Sequence, residues 1–266
     1  MNFIESLLLG MIQGLTEFLP VSSSGHLVIF QKLLGIASDN LAFEIIVHLG
    51  TLMSVFVVFY NDLLNLIKSL CIGIRNPKSA YIQDEYFKLA IQIMVGTIPA
   101  VFAGLLFKDF FERIFHNSSL VGITLIITGA ILLSTKFLNK IDKKLSLINS
   151  LLIGTGQALA IFPGISRSGT TISTALFCGI SKREAARFSF LLSIPAILGA
   201  AVLEIKDLII SGISGQQILS LATGFLSSFL VGYLAIRFLL NIINKGKFFW
   251  FAPYCFLAGL FVLILL

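Results

Sequence analysis

The chain contains one segment twice, at residues 6–26 and at residues 150–170. SLLLGMIQGLTEFLPVSSSGH lies over SLLIGTGQALAIFPGISRSGT with a constant offset of 144 residues and no gap, and ten positions are identical. A repeat of this kind predicts two structurally equivalent units. The copies differ in their polar residues, because the first carries Glu17 and His26 whereas the second carries Arg167. We therefore expect the two units to hold complementary halves of one polar site.

The chain is too apolar for a soluble domain, with 57% hydrophobic residues, 12% charged residues and a mean hydropathy of +0.98. This composition predicts an all-α, polytopic membrane protein. Uninterrupted apolar stretches indicate about six spanning helices, near residues 41–60, 87–107, 119–137, 186–203, 217–240 and 248–266. Each copy of the repeat precedes three of them. The prediction is a single integral membrane domain of residues 1–266, with repeat halves 1–140 and 145–266.

Each copy of the repeat is interrupted at its centre by a turn rich in proline, serine and glycine, at residues 20–25 and 163–169. At ~1.5 Å per residue, the helical pieces on either side mostly fall short of a ~30 Å hydrocarbon core. Two short half-helices around such a break predict a re-entrant hairpin, which enters and leaves the membrane on one side. Irregular backbone at that depth has to line a polar cavity or be buried in protein. The alternative is a single kinked spanning helix in each copy.

The distribution of basic residues favours hairpins that do not cross. With such hairpins, 14 of the 19 lysines and arginines fall on one side, four fall on the other, and Arg167 lies in the second hairpin. The positive-inside rule makes the richer side cytoplasmic and places both termini at the outer face of the cytoplasmic membrane. A hairpin plus three spans is an odd number of crossings, so the halves form an inverted repeat whose hairpin tips meet in mid-membrane. The longest polar stretch, residues 61–86, is predicted to be a cytoplasmic loop of partly amphipathic character.

The two interrupted turns have the composition of anion sites. Residues 22–25 and 166–169 each open a half-helix, whose free N–H groups and hydroxyls favour an anion. Arg167 adds a guanidinium that can hold phosphate through two hydrogen bonds. Serine is also an ordinary helix N-cap, but an arginine at membrane depth is costly unless it is paired. Two facing turns of this kind suit a diphosphate. The net charge of +6 comes mostly from the cytoplasmic loops, so it indicates contact with membrane lipids rather than nucleic acid.

A carboxylate and a histidine accompany the first turn. Gln13 and Glu17 are spaced i, i+4 and therefore share one helix face. An ionised Glu17 at that depth needs a cation, which is Arg167, a protonated His26 or a divalent metal bound through substrate oxygens. A purely structural pair of Glu17 and Arg167 is the alternative. His26 can act as general base or as nucleophile toward phosphorus.

A second i, i+4 pair, Glu44 and His48, lies near the outer end of the first span. No glycine-rich break adjoins it. We therefore interpret this pair as structural.

At these residues the chain resembles a known family. QGLTEFLPVSSSGH at residues 13–26, PGISRSGTT at 163–171 and FSFLLSIPA at 188–196 resemble the signature motifs of the undecaprenyl-diphosphate phosphatases, the bacitracin-resistance integral membrane phosphatases. The resemblance runs nearly end to end in length and hydrophobic layout. It implies removal of the terminal phosphate of undecaprenyl diphosphate, which yields the lipid monophosphate that carries cell-envelope precursors. It also implies a divalent cation, Mg²⁺ or Ca²⁺, and a site that opens to the outer face.

The same resemblance assigns roles to individual residues. It places Gln13 and Glu17 in the acidic, metal-associated motif, makes Ser23 and His26 candidates for nucleophile or base, and makes Arg167 the phosphate clamp. The first position of the acidic motif is often glutamate in the family but is Gln13 here, which puts metal ligation by two carboxylates in doubt. An amide oxygen can still coordinate a hard cation, more weakly. The expected substrate contacts are Gln13, Ser22, Ser24, Gly25, Ser166, Ser168, Gly169 and Thr171.

Several alternatives stay open at the level of sequence. His26 either attacks phosphorus or activates Ser23 or water, and Glu17 either holds the metal or orients the histidine. Inverted repeats with broken helices are also the layout of secondary transporters, so a transporter or flippase of polyprenyl phosphate is the alternative function. A homodimer is a further possible arrangement.

Overall fold

The computed structural model describes residues 1–36, 41–114, 117–138, 142–211 and 215–266. The regular secondary structure in these ranges is helical. They contain no β-strand, only an isolated β-bridge between Lys143 and Ile180. The α-helices are α1 (Phe3–Phe18), α2 (Ser23–Leu34), α3 (Leu41–Val58), α4 (Tyr60–Gly73), α5 (Pro77–Gln83), α6 (Glu85–Leu106), α7 (Lys108–Ile114), α8 (Ser118–Ser134), α9 (Leu147–Leu159), α10 (Arg167–Phe177), α11 (Lys182–Ser211), α12 (Gly215–Asn244) and α13 (Ala252–Leu265). Short 3₁₀ turns cover Thr135–Phe137 and Phe248–Phe251.

The membrane spans confirm the predicted polytopic all-α class. Within the described ranges, five helices are long and apolar enough to cross a membrane: α6, α8, α11, α12, and α13 with the 3₁₀ turn before it. Counting the bent pair of α3 and α4 as one span brings the number to six. The six predicted stretches correspond to these elements, although α11 and α12 extend beyond the predicted ends.

The predicted loop over residues 61–86 is wrong, because α4 and α5 occupy most of it. Helix α4 follows α3 after a single residue, Phe59, and turns away from it by 82°. Leu66 of α4 is buried in the central core, whereas Lys68 is exposed. An amphipathic helix stabilised in this way lies along an apolar surface with its charged face in water. The amphipathic pattern of this stretch therefore indicates a surface helix rather than a loop.

The two copies of the repeat fold as pairs of short helices, α1 with α2 and α9 with α10, and the members of each pair contact each other. The longest of the four, α1, has 16 residues and is therefore ~24 Å long, less than a ~30 Å core. The two breaks lie against each other. An added Cβ at Gly25 would lie 3.1 Å from Gly164 Cα, and one at Gly169 would lie 3.4 Å from Pro20 Cβ.

Four backbone carbonyls at the breaks accept hydrogen bonds from side chains. Without water nearby, an unpaired carbonyl would cost several kcal/mol, so these bonds stabilise the interrupted backbone. The bonds run from Ser168 Oγ to Leu19 O (3.2 Å), Cys255 Sγ to Pro20 O (3.4 Å), Thr124 Oγ1 to Pro163 O (2.5 Å) and Thr128 Oγ1 to Gly164 O (3.0 Å).

Each hairpin packs on a span from the other half of the chain. Helix α1 lies along α12, α9 lies along α6, and α8 lies along α13. Because α6 is the second span after the first hairpin and α12 is the second span after the second hairpin, the exchange is reciprocal. Two inverted copies would produce this arrangement. The division into halves at 1–140 and 145–266 stays a prediction.

Both chain termini lie at one end of the helix bundle. At this end, Ser220 Oγ donates to Met1 O (3.0 Å) and Lys32 Nζ donates to Leu266 O (2.5 Å). Helix α12 runs from this end toward the other for 30 residues. At the far end, Lys136 lies over the Phe249 ring at 5.7 Å and Arg187 Nη2 donates to Asp62 at 2.5 Å.

Candidate active site

An ion pair joins the two hairpins. Glu17 is near the C-terminus of α1 and Arg167 is the first residue of α10, 150 positions away, yet Arg167 Nη2 donates to Glu17 Oε1 at 2.6 Å. Glu17 is only 8% exposed. A buried carboxylate of this kind is stabilised only if it is paired. The structure thus brings together the two charged residues that the repeat comparison singled out.

The other oxygen of the same carboxylate collects three further polar groups. Ser23 Oγ donates to Glu17 Oε2 at 2.5 Å, and Gln13 Nε2 donates to it at 3.0 Å. His48 Nε2 lies 3.7 Å from the same oxygen. The shared face of Gln13 and Glu17 agrees with the i, i+4 prediction. The two oxygens therefore have different surroundings, a guanidinium at Oε1 and neutral polar groups with an imidazole at Oε2.

Two buried atoms at the site have no hydrogen-bond partner among the described residues. They are Arg167 Nη1, which is a donor, and Gln13 Oε1, which is an acceptor. Buried polar atoms in folded proteins are almost always paired, so these two atoms are candidates to contact a ligand or water. A phosphate oxygen would satisfy the guanidinium, and a cation or a water molecule would satisfy the amide oxygen.

His26 is held away from Glu17 by other partners. Its Nδ1 is 2.8 Å from Ser22 O, a carbonyl that can only accept, so Nδ1 carries the hydrogen. The neutral ring then accepts at Nε2 from Tyr254 Oη, 2.6 Å away. The two rings are also stacked, with centroids 5.6 Å apart. Both ring nitrogens of His26 are therefore engaged in this arrangement.

The serine-rich turns divide into exposed and buried members. Ser23 and Ser24 are partly exposed, and Ser23 contacts Glu17. Ser22, with the left-handed φ of 69°, caps α2 through Gly25 N at 3.3 Å. A positive φ outside glycine is a strained conformation that commonly occurs at functional sites.

In the second turn the polar side chains are buried and bonded to protein. Ser166 Oγ accepts from Gly169 N at 3.0 Å and lies 3.2 Å from Ser168 Oγ. Thr171 Oγ1 lies 2.6 Å from Ser189 Oγ. These groups fix the turn that carries Arg167. Their roles as substrate contacts, like those of Ser22, Ser24 and Gly25, stay predictions.

Sequence reasoning missed two residues of the site. His48 was interpreted as half of a structural pair with Glu44, and its Nδ1 does lie 2.7 Å from Glu44 O, but its Nε2 faces Glu17. Tyr254 gave no signal, because its contact with His26 joins residues 228 positions apart.

The site offers mainly oxygen atoms as ligands for a metal ion. Within the described ranges, no group of three or more His, Cys, Asp or Glu side chains could hold one. Glu17 Oε2 and the unpaired Gln13 Oε1 are nevertheless oxygen donors of the type that hard cations prefer. A cation at this position would need further ligands from water or from substrate.

Comparison with known proteins adds an independent line of information. The family model of the bacitracin resistance protein BacA matches residues 6–261. The chain is 44% identical to an undecaprenyl-diphosphatase of Carboxydothermus hydrogenoformans, over 100% of this chain and 98% of that protein. It is 45% identical to one of Korarchaeum cryptofilum over 100% of both chains, and 40% identical to one of Methanosphaera stadtmanae over 100% of this chain and 98% of that protein.

Proposed function

The chain belongs to the bacitracin resistance protein BacA family, and from this membership we propose that it hydrolyses undecaprenyl diphosphate to undecaprenyl phosphate and inorganic phosphate. It is a multi-pass membrane phosphatase that regenerates the lipid carrier of cell-envelope synthesis. The observation that carries this conclusion is the contact of Arg167 with Glu17 between two buried hairpin tips. It places a phosphate-binding cation and a carboxylate within one small site.

Arg167 is the phosphate clamp in this proposal. One arm of its guanidinium is held by Glu17 Oε1 at 2.6 Å, which fixes the plane of the group. The other arm, Nη1, is buried and has no partner among the described residues. Fixed donors of this kind stabilise the charge that builds up on phosphate oxygens in the transition state, because they need no reorganisation at that moment.

Ser23 is the nucleophile that the geometry favours. Its hydroxyl donates to Glu17 Oε2 at 2.5 Å and is partly exposed. As Oγ bonds to the terminal phosphorus, the bond from phosphorus to the bridging oxygen breaks, and undecaprenyl phosphate leaves with the serine proton while Glu17 Oε2 orients the hydroxyl. Water then hydrolyses the phosphoserine, which restores the serine hydroxyl and releases inorganic phosphate. The assignment of His26 as a base stays a prediction, because Tyr254 occupies its Nε2.

A divalent cation completes the proposal. Glu17 Oε2 and Gln13 Oε1 would hold it, since Oε1 of Glu17 is already bonded to Arg167. Such a cation, Mg²⁺ or Ca²⁺ by the family resemblance, neutralises charge on the phosphate oxygens when bound. The amide of Gln13 makes this a weaker site than two carboxylates would give.

The orientation we propose puts both termini and the mouth of the site at the outer face of the cytoplasmic membrane. Two observations support it. The contacts of Met1 and Leu266 lie at one end of the bundle, and the predicted cytoplasmic basic residues include Lys136 and Arg187 at the other. The polyprenyl tail would lie between apolar helices. A homodimer remains a separate prediction, because every residue of this mechanism lies in one chain.

Phosphate release by purified protein in detergent tests the assignment. We expect Arg167→Ala to lower kcat by about 10²–10³-fold, the usual cost of removing one fixed donor to a developing oxyanion. Arg167→Lys should restore the charge but only part of the rate, since a lysine lacks the planar fork. Arg237→Ala is the matched control, because Arg237 is exposed and, among the described residues, is bonded to Tyr233 in the same helix.

The removal of Arg167 also leaves Glu17 as an uncompensated buried charge, which can destabilise the fold. Thermal unfolding of each variant in detergent therefore accompanies the assay. A folded Arg167→Ala protein that turns over at the wild-type rate would exclude the clamp. Absence of phosphate release by the wild-type protein would exclude the phosphatase itself.

A further inference from the structure

His48 has an unusual position for a structural histidine. It is 32% exposed, it projects from α3, and its Nε2 lies 3.7 Å from Glu17 Oε2. Its Nδ1 lies 2.7 Å from the backbone carbonyl of Glu44. Because a carbonyl only accepts, Nδ1 is the donor, and Nε2 is the ring nitrogen that faces the carboxylate.

We infer that His48 is a nitrogen ligand of the divalent cation at Glu17 and Gln13, an inference that rests on the proposed function. Histidines that bind metal typically donate their other ring N–H to a backbone carbonyl or a carboxylate, which fixes the tautomer and the ring. The bond of His48 Nδ1 to Glu44 O is of this type. The ring is therefore oriented before any cation binds.

The distances allow one ion to reach both side chains. Metal bonds to histidine nitrogen and carboxylate oxygen are about 2.0–2.2 Å long. Their sum exceeds the 3.7 Å between His48 Nε2 and Glu17 Oε2, so a single cation can bridge the two atoms. Arg167 occupies the opposite oxygen, Oε1, and leaves this side of the carboxylate free of positive guanidinium. The buried, unpaired Gln13 Oε1 supplies an independent indication of a ligand here.

A nitrogen ligand changes which cation the site prefers. Carboxylate, amide and water oxygens alone suit Mg²⁺ and Ca²⁺, whereas imidazole favours first-row transition ions. With one nitrogen from His48 beside the oxygens of Glu17 and Gln13, the site should bind Mn²⁺ more tightly than Ca²⁺. The histidine thus sets the cation specificity of the phosphatase.

The test measures Mn²⁺ binding to the full-length protein, purified in detergent, stripped with chelator and without substrate. Electron paramagnetic resonance measures the concentration of free Mn²⁺. Its pulsed form detects the magnetic coupling between the ion and a bonded nitrogen, called nitrogen coupling below. We expect wild type to show nitrogen coupling, and His48→Ala to lose it and to bind Mn²⁺ about 10–100-fold more weakly, the range seen when the support of a metal site is removed. Ca²⁺ affinity should change much less.

Two variants separate ligation from a structural role. His48→Gln keeps a polar group beside Glu17 but lacks imidazole, so it should fold like wild type and still lack nitrogen coupling. His26→Ala is the control variant, because the His26 nitrogens are bonded to Ser22 and Tyr254, and it should keep the coupling.

Wild-type Mn²⁺ affinity in His48→Gln, or a wild-type spectrum without nitrogen coupling, would overturn the inference. In that case His48 is only an ion-pair partner of Glu17. Phosphate release by the same wild-type preparation shows separately whether the proposed function holds.

Discussion

Glu17 makes a different kind of contact with each of its carboxylate oxygens, and the sequence predicted these contacts only in part. The contact of Oε1 with Arg167 was predictable, because the two copies of the repeat differ at these motif positions. The approach of His48 to Oε2 was not, since its i, i+4 spacing to Glu44 indicated a local pair equally well. Nothing in the sequence indicated the contact between Tyr254 and His26, because only packing of α13 on the hairpin brings the two residues together.

At this scale Tyr254→Phe tests whether the tyrosine positions His26. The phenyl ring keeps the stacking but removes the donor to His26 Nε2, whose distance from Oη is 2.6 Å. One hydrogen bond has a net value of about 0.5–1.5 kcal/mol, so with His26 in the catalytic role that stays a prediction, we expect kcat to fall by up to about tenfold with KM little changed. Steady-state phosphate release measures both constants. Tyr233→Phe, which alters a tyrosine bonded to Arg237, should be neutral. Unchanged kcat in Tyr254→Phe would mean that His26 does not depend on this bond.

Helix breaks could be predicted where proline and glycine in the sequence cause them. They could be predicted less well where packing against other parts of the fold causes them. The breaks at residues 20–25 and 163–169 contain proline and glycine, which interrupt helices by themselves. The 82° bend between α3 and α4 lies at Phe59, without either residue type. Its cause is the burial of one face of α4 in the core, around Leu66. Such burial depends on the assembled fold, so apolar run length alone predicted only a straight span.

The crossing of α9 and α6 provides a test at the scale of elements. A Cβ added at Gly154 would overlap the carbonyl oxygen of Gly96 and lie 3.1 Å from Gly96 Cα, and backbone cannot yield without separating the helices. We expect Gly154→Ala to destabilise the protein by about 1–3 kcal/mol, as overpacked contacts do. Gly104→Ala is the matched control, since nothing lies within 4 Å of its added Cβ, and it should be neutral or slightly stabilising. Thermal unfolding in detergent compares them, and equal melting temperatures would refute the tight crossing.

The whole molecule combines a symmetric scaffold with an asymmetric site. Reciprocal packing of α1 on α12 and α9 on α6 surrounds both breaks with protein, which is the condition for irregular backbone within a membrane. The duplicated segments and the three apolar stretches after each predicted two equivalent units, each with two half-helices followed by three spans. The direction of insertion stays a prediction from the charge distribution, because lysines and arginines resist transfer across the membrane. The contacts between helices required the folded chain, since nothing in the sequence pairs the second span of one half with the hairpin of the other.

Membrane orientation gives a prediction that involves the entire chain. Cys71 is exposed on α4, on the side that we propose to be cytoplasmic. Ser119 is exposed at the start of α8, next to Ser118, which receives a hydrogen bond from Lys32 at the end with both termini. In spheroplasts, a membrane-impermeant maleimide should label Ser119→Cys in a Cys71→Ser background at once. It should label wild-type Cys71 only after permeabilisation, because the reagent cannot cross the bilayer. The reverse pattern would place the termini and the mouth of the site in the cytoplasm, where substrate from the outer leaflet could not reach Arg167.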